Sequence, residues 1–139
     1  MTRFVLDASV ALGWIVDDPP SPYVVGVMKS LLAGNRALVP SLWHLELANW
    51  FVVALRRKVL DEPSADRCVI AIDDIVAAAV DTETSYFHIR KLLEIGRMFE
   101  LSAYDAAYLD LAFHEGLPLA TLDRGLRVAA EKSGVTLLQ

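Results

Sequence analysis

Apolar residues recur with two different periods along this chain. Short unbroken runs such as Phe4-Val5-Leu6 and Ala37-Leu38-Val39 suit strands buried on both faces. Between them lie longer stretches whose apolar positions return every three to four residues, the period of an amphipathic helix. In order, the pattern predicts a strand over Arg3 to Asp7, a short helix over Ser9 to Val16, and a helix over Tyr23 to Ala33 that stops near Gly34-Asn35. A strand over Ala37 to Pro40 follows, then a helix from about Leu42 to Lys58, for which Ser41 is a candidate cap. Ser64 is expected to cap the next helix, which reaches about Asp74. Ile75 to Val80 suits either a helix tail or a strand, and a third strand over Val76 to Val80 is expected. Helices are predicted over Ser85 to Phe99 and from Ser102 to about His114, the second ended by Gly116. The last elements are a strand over Leu119 to Leu122, a helix over Arg124 to Lys132 and a strand over Val135 to Leu138.

Strands that alternate with helices in this way imply an α/β fold with a parallel sheet covered on both faces. In such sheets the ligand crevice lies beyond the carboxyl ends of the strands. The 139 residues make one domain, 1–139, with no repeat, low-complexity tract or linker. Asp17-Asp18-Pro19-Pro20-Ser21-Pro22 is a turn and a helix start, too short to divide domains.

Composition narrows the function classes. A hydrophobic fraction of 55% suits a covered sheet, and allows for an apolar surface hidden by another subunit. The net charge of −5 argues against a module that binds nucleic acid by neutralising phosphates alone. It leaves room for a nuclease whose divalent cations supply the missing positive charge. The single cysteine, Cys68, rules out an internal disulfide and reads as a small buried hydrophobe. No apolar run reaches the roughly 18 residues of a membrane span, and a cytoplasmic protein is expected.

Four acids stand in apolar company. Asp7 follows Phe-Val-Leu, Glu46 lies within Leu-Trp-His-Leu-Glu-Leu-Ala, Asp105 within Leu-Ser-Ala-Tyr-Asp-Ala-Ala-Tyr-Leu, and Asp123 ends Leu-Ala-Thr-Leu. Ionised carboxylates are costly to bury without a counter-charge. Asp7 and Asp123 fall at carboxyl ends of predicted strands. Glu46 and Asp105 fall in early turns of helices that start at the same edge. Converging there, they would form an all-oxygen site suited to Mg²⁺ or Mn²⁺. Taken singly, each has a blander account. Asp7 and Asp123 could be helix N-caps, and Asp105 could complement a helix dipole. Glu46 is the hardest to explain in that way.

Four stretches in order carry a family resemblance: Phe4-Val5-Leu6-Asp7-Ala8-Ser9-Val10, Pro40-Ser41-Leu42-Trp43-His44-Leu45-Glu46-Leu47-Ala48-Asn49, Leu101-Ser102-Ala103-Tyr104-Asp105-Ala106-Ala107-Tyr108, and Pro118-Leu119-Ala120-Thr121-Leu122-Asp123-Arg124-Gly125-Leu126. The chain resembles the PIN-domain nucleases, most closely the VapC-type toxins of toxin–antitoxin pairs. The resemblance implies a PIN-like three-layer α/β/α sandwich around a mainly parallel sheet of about five strands. It implies Mg²⁺- or Mn²⁺-dependent endoribonuclease activity, with Asp7, Glu46, Asp105 and Asp123 as the metal-binding and catalytic acids. Ser9 and Thr121 match small hydroxyl residues that line the same site. It also implies a homodimer, an RNA substrate and a small antitoxin partner. Larger PIN nucleases often carry a further acid two residues after the last one. Here that place is Gly125. One tightly held ion is therefore expected, with a second recruited by substrate phosphate.

Other candidates rank below the four acids. Arg124 and Arg127, just past Asp123, are candidates for contact with RNA phosphate or an acidic antitoxin residue. Arg90, Lys91 and Arg97 could line the rim. Arg56-Arg57-Lys58 reads first as the cationic end of a helix. His44, His88 and His114 lack companions at ligand spacing. Asp110 lies about 140° around its helix from Asp105. Trp43, Trp50 and Phe51 are expected to pack the core, and part of that face could serve a dimer or the antitoxin. A phosphoacceptor receiver domain is a poorer fit, because Asp7 has no adjacent acid and no late strand ends in Lys. An inactive PIN fold that binds RNA or protein is the remaining alternative.

Overall fold

The computed structural model describes residues 1–139. Four parallel strands form one sheet in the order β3-β2-β1-β4. They are β1 (Arg3–Leu6), β2 (Arg36–Pro40), β3 (Val80–Glu83) and β4 (Leu119–Ala120). The helices are α1 (Ala8–Val16), α2 (Pro22–Leu32), α3 (Leu42–Arg56), α4 (Glu62–Ala79), α5 (Ile89–Phe99), α6 (Ala103–Glu115) and α7 (Arg124–Ser133).

The central strand is the most apolar because both its faces are covered. Phe4, Val5 and Leu6 are all fully buried. Arg3 pairs with Arg36 and Val5 with Leu38 on one side, while Val5 pairs with Leu119 on the other. The helices fall into two packed groups, α1–α4 and α5–α7. Helix α6 lies against β1, β2 and β4. Gly13 allows α1 to approach α2 closely: a Cβ there would come within 2.9 Å of Val24 Cγ1. The Trp14 indole N–H then donates to the Val24 carbonyl across the same contact, at 2.7 Å.

Four expectations change. The third strand is not Val76 to Val80, because α4 continues through Ala79 and the strand starts at Val80. Ala77-Ala78-Ala79 has the highest helix propensity of any residue type, and it extends the helix. An Arg36–Asp81 pair then clips the new strand to β2, with Arg36 Nε and Nη2 donating to the two Asp81 oxygens. The fifth strand, Val135 to Leu138, shrinks to a single parallel bridge between Leu119 and Leu137. Its neighbour β4 stops at Ala120, because the next residues leave the ladder to build the site described below. Two cap assignments also move. Asp61, not Ser64, caps α4 by accepting from the Ser64 amide. Ser41 lies in helical backbone and makes no cap bond. Ser102 and Gly116 bound α6 as expected.

Leu6→Ala in the fully buried centre of the sheet is expected to lower stability by about 2–5 kcal/mol. Leu45→Ala, on the exposed side of α3, should stay within about 0.5 kcal/mol of the parent. Urea denaturation of the two variants checks the pair.

Candidate active site

The site begins where β1 ends. Asp7 follows the last strand residue, and its backbone opens α1 in an N-cap conformation. Its side chain makes no cap hydrogen bond there. Oδ2 instead accepts from Ser9 Oγ at 2.6 Å and from Thr121 Oγ1 at 2.7 Å. Each hydroxyl has one proton and gives it to Asp7, so their lone pairs remain free. The Ser9 oxygen accepts the Leu122 amide at 3.0 Å, and the Thr121 oxygen accepts the Asp123 amide at 3.0 Å. Asp7 is thereby tied to the β4–α7 junction across more than a hundred residues of sequence.

The other acids arrive from helix starts. Asp123 does cap α7, with Oδ1 accepting the Leu126 amide at 2.8 Å. The capping account therefore applies to Asp123 and not to Asp7. Glu46 stands in the second turn of α3 and is half-buried. Its Oε1 accepts from Tyr108 Oη at 2.6 Å. Asp105 lies in the first turn of α6, whose cap Ser102 takes the Asp105 amide on its hydroxyl. Asp105 and Tyr108 are three residues apart on α6, so they share a face and turn together toward the site.

Charge couples the four acids. Desolvation raises Asp7 above the ordinary carboxylate range, its two hydroxyl partners oppose that, and the charge of Asp123 adds to it. Glu46 is raised by desolvation, lowered by Tyr108, and raised again by Asp7 and Asp105. Asp105 is pushed up to about 6 by desolvation and by the charges of Asp123 and Asp7. Burial and the Glu46 acceptor hold the Tyr108 phenol far above its ordinary range, so it remains a donor. No cation answers this charge. The two salt bridges of the chain, Arg36–Asp81 and Lys91–Asp110, both lie elsewhere.

The donor set fits a hard divalent cation, since it is all carboxylate and hydroxyl oxygen. The four side chains are not drawn into a closed cage: no group of three or more acids, histidines or cysteines meets in liganding geometry. Mutual repulsion is the physical reason for carboxylates to stand apart when no cation lies between them.

The remaining candidates divide. Arg124 is exposed at the start of α7. The Arg127 guanidinium is engaged: Nη1 donates to the Thr121 carbonyl at 2.7 Å, and the group lies 5.6 Å over the Tyr23 ring. A Cβ at Gly125 would sit 3.3 Å from Asp123 Oδ1, the oxygen already used in the cap. His44 bonds Thr82 at the sheet edge, and Asp110 pairs with Lys91. Trp43 and Phe51 are buried, as core packing requires. Tyr108 is the residue that sequence reasoning overlooked, although its spacing from Asp105 was the available signal.

A model of the PIN domain matches residues 4–132. The chain belongs to the PIN domain family. Two solved structures share the fold of this PIN domain. PAE2754 from Pyrobaculum aerophilum superposes with a TM-score of 0.68 at 20% identity, covering 92% of this chain and 79% of that one. FitAcB from Neisseria gonorrhoeae gives 0.64 at 16% identity, over 100% of this chain and 97% of the other. No curated protein matches the sequence.

Two measurements follow from this geometry. Asp105 titrates near 6 in the folded chain, against an ordinary value of 3.8. Its stabilising contribution is thus complete below pH 3.8 and is lost as pH rises through 6. Asp61, Asp81 and Glu83 are shifted the other way, so their contributions are lost only at more acidic pH. The melting temperature of the metal-free protein is therefore expected to fall between pH 5 and pH 7.5, and Asp105→Asn should flatten that slope. Arg127→Ala is expected to cost about 1–2 kcal/mol in urea denaturation, because it strips a charged donor from a backbone carbonyl. Arg124→Ala should leave stability unchanged.

Proposed function

We propose that this PIN domain is an Mg²⁺- or Mn²⁺-dependent endoribonuclease, the toxin component of a type II toxin–antitoxin pair. The observation that carries the nuclease reading is the cluster of Asp7, Glu46, Asp105 and Asp123. Three of these carboxylates are raised by burial and mutual repulsion, with no cationic side chain to answer them. A fold tolerates such a cluster when a bound cation repays the cost.

All four acids are assigned to metal binding and catalysis. A bound Mg²⁺ or Mn²⁺ would make water nucleophilic near neutral pH and stabilise charge on a phosphodiester. The chain's own groups prepare that site. Ser9 and Thr121 fix one oxygen of Asp7 and leave Oδ1 outside their network. The α7 cap fixes one oxygen of Asp123 and leaves Oδ2 outside it. Desolvation and the charges of Asp123 and Asp7 raise Asp105, and a bound cation would relieve that cost and hold it ionised. Exposed Arg124 is assigned to RNA phosphate or to an acidic antitoxin side chain. Arg127 would first have to release the Thr121 carbonyl to make such a contact.

The toxin assignment rests on the four motif stretches and on an apolar groove between α3 and α4. That groove, of about 410 Å³, is lined by Trp43, Leu47, Phe51, Val69, Ile72 and Val76. The buried Trp43 indole N–H has no acceptor within the chain. A small antitoxin laying an apolar segment there suits the groove's chemistry. A homodimer is part of the same proposal, and exposed Ile89, Leu93 and Met98 on α5 offer apolar surface for it. No helix is long and apolar enough to cross a membrane, and a cytoplasmic place is proposed with the toxin role. A binding-only PIN module is the second reading. Calorimetry that finds no Mn²⁺ binding would select it.

Purified protein is expected to cleave single-stranded RNA with Mn²⁺ or Mg²⁺, to stop with EDTA, and to leave 5′-phosphate and 3′-hydroxyl ends. Asp7→Asn and Asp123→Asn should each lower the rate by at least about 10²-fold. Intact cleavage in both variants, or 2′,3′-cyclic phosphate ends, would sink the assignment.

A further inference from the structure

Glu46 differs from the other three acids in how it is held. It reaches the site from α3 on the longest of the four side chains, so ordering it costs the most rotamer entropy. No backbone amide or small hydroxyl fixes its carboxylate. Its side-chain hydrogen bond comes from Tyr108, a residue of α6.

Tyr108 is well suited to hold it. The residue is fully buried and belongs to the apolar core, so its ring cannot swing. Its hydroxyl has a single proton, and that proton goes to Glu46 Oε1 at 2.6 Å, a length typical of a charged acceptor. One proton can anchor one oxygen, and Oε2 is left without a side-chain partner. The same division appears at Asp7, anchored through Oδ2, and at Asp123, anchored through Oδ1. In each of the three acids these hydrogen bonds all fall on a single oxygen.

We propose that Tyr108 is a positioning residue: by holding Glu46 Oε1 it presents Oε2 to the divalent cation and sets the affinity for that ion. The inference rests on the metal-dependent reading above. It adds a coupling between α6 and α3 that the four acids alone do not require. Tyr108 acts through Glu46, to which its hydroxyl donates.

The test uses Mn²⁺ alone, titrated calorimetrically into the full chain. Tyr108→Phe keeps the ring in the core and removes the donor, while Glu46 Oε1, half-buried, can take a water instead. Tyr108→Phe is expected to weaken Mn²⁺ binding by about tenfold or more, the usual effect of losing a partner that orients a ligand. In a Glu46→Gln background the same change is expected to have no further effect, since there is no carboxylate left to aim. An equal loss of affinity in both backgrounds would mean that the substitution acts other than through Glu46, and that result overturns the proposal. So does wild-type affinity in Tyr108→Phe. Absence of Mn²⁺ binding by the parent protein is a separate outcome, and it removes the metal-dependent reading itself. Should Tyr108→Phe fail to fold, Tyr108→Met, which fills much of the same core space without a hydrogen-bond donor and without added bulk, carries the same comparison.

Discussion

Like charges held together without a counter-charge govern the construction of this molecule. Four carboxylates share one edge of the sheet, and the nearest hydrogen-bonding groups to them are neutral hydroxyls and amides. A lysine or arginine in their place would have stabilised the folded chain more and would have filled the space of a cation. Neutral donors orient an acid without cancelling it. The local structure follows from that choice. Strand β4 ends after two residues, so that Thr121 can turn to Asp7 and Asp123 can open α7. Arg127 donates to the Thr121 carbonyl and makes no salt bridge to the carboxylates, and it stiffens the residue that holds Asp7.

The arrangement costs stability. Desolvation and repulsion raise Asp7, Glu46 and Asp105 together, and the apolar sheet has to offset them. The fully buried run of β1 is well placed to do so, because its own carboxyl end delivers Asp7. Folds commonly accept such a loss where function requires it.

Much of this was legible in the residues themselves. Unbroken apolar runs located β1 and β2, and Ser102 and Gly116 bounded α6. The four acids were recognisable because charge in apolar company is unusual. Other features depended on tertiary context. Ala77-Ala78-Ala79 carries no periodicity, so helix and strand could not be separated until β3 found its partner one residue later. The last strand could not be seen to collapse to one bridge, because its length is set by β4, which is itself cut short by the site. Tyr108 in an alanine-rich helix looks like core, and it is core except for one oxygen. Arg127 looks like a phosphate ligand for a similar reason. The intramolecular acceptor it uses is a backbone carbonyl, which leaves no mark in a sequence.

The pairing of β1 with both β2 and β4 has a further consequence, in time. Asp7 is made 114 residues before its partner Thr121. The carboxylates of the site stand at positions 7, 46, 105 and 123, so no partial chain contains them all until α6, β4 and the start of α7 have been made. Under the proposed nuclease function, a chain assembled in this order has no active fragment lacking any of the four. The site therefore exists only once strand β4 has docked beside β1.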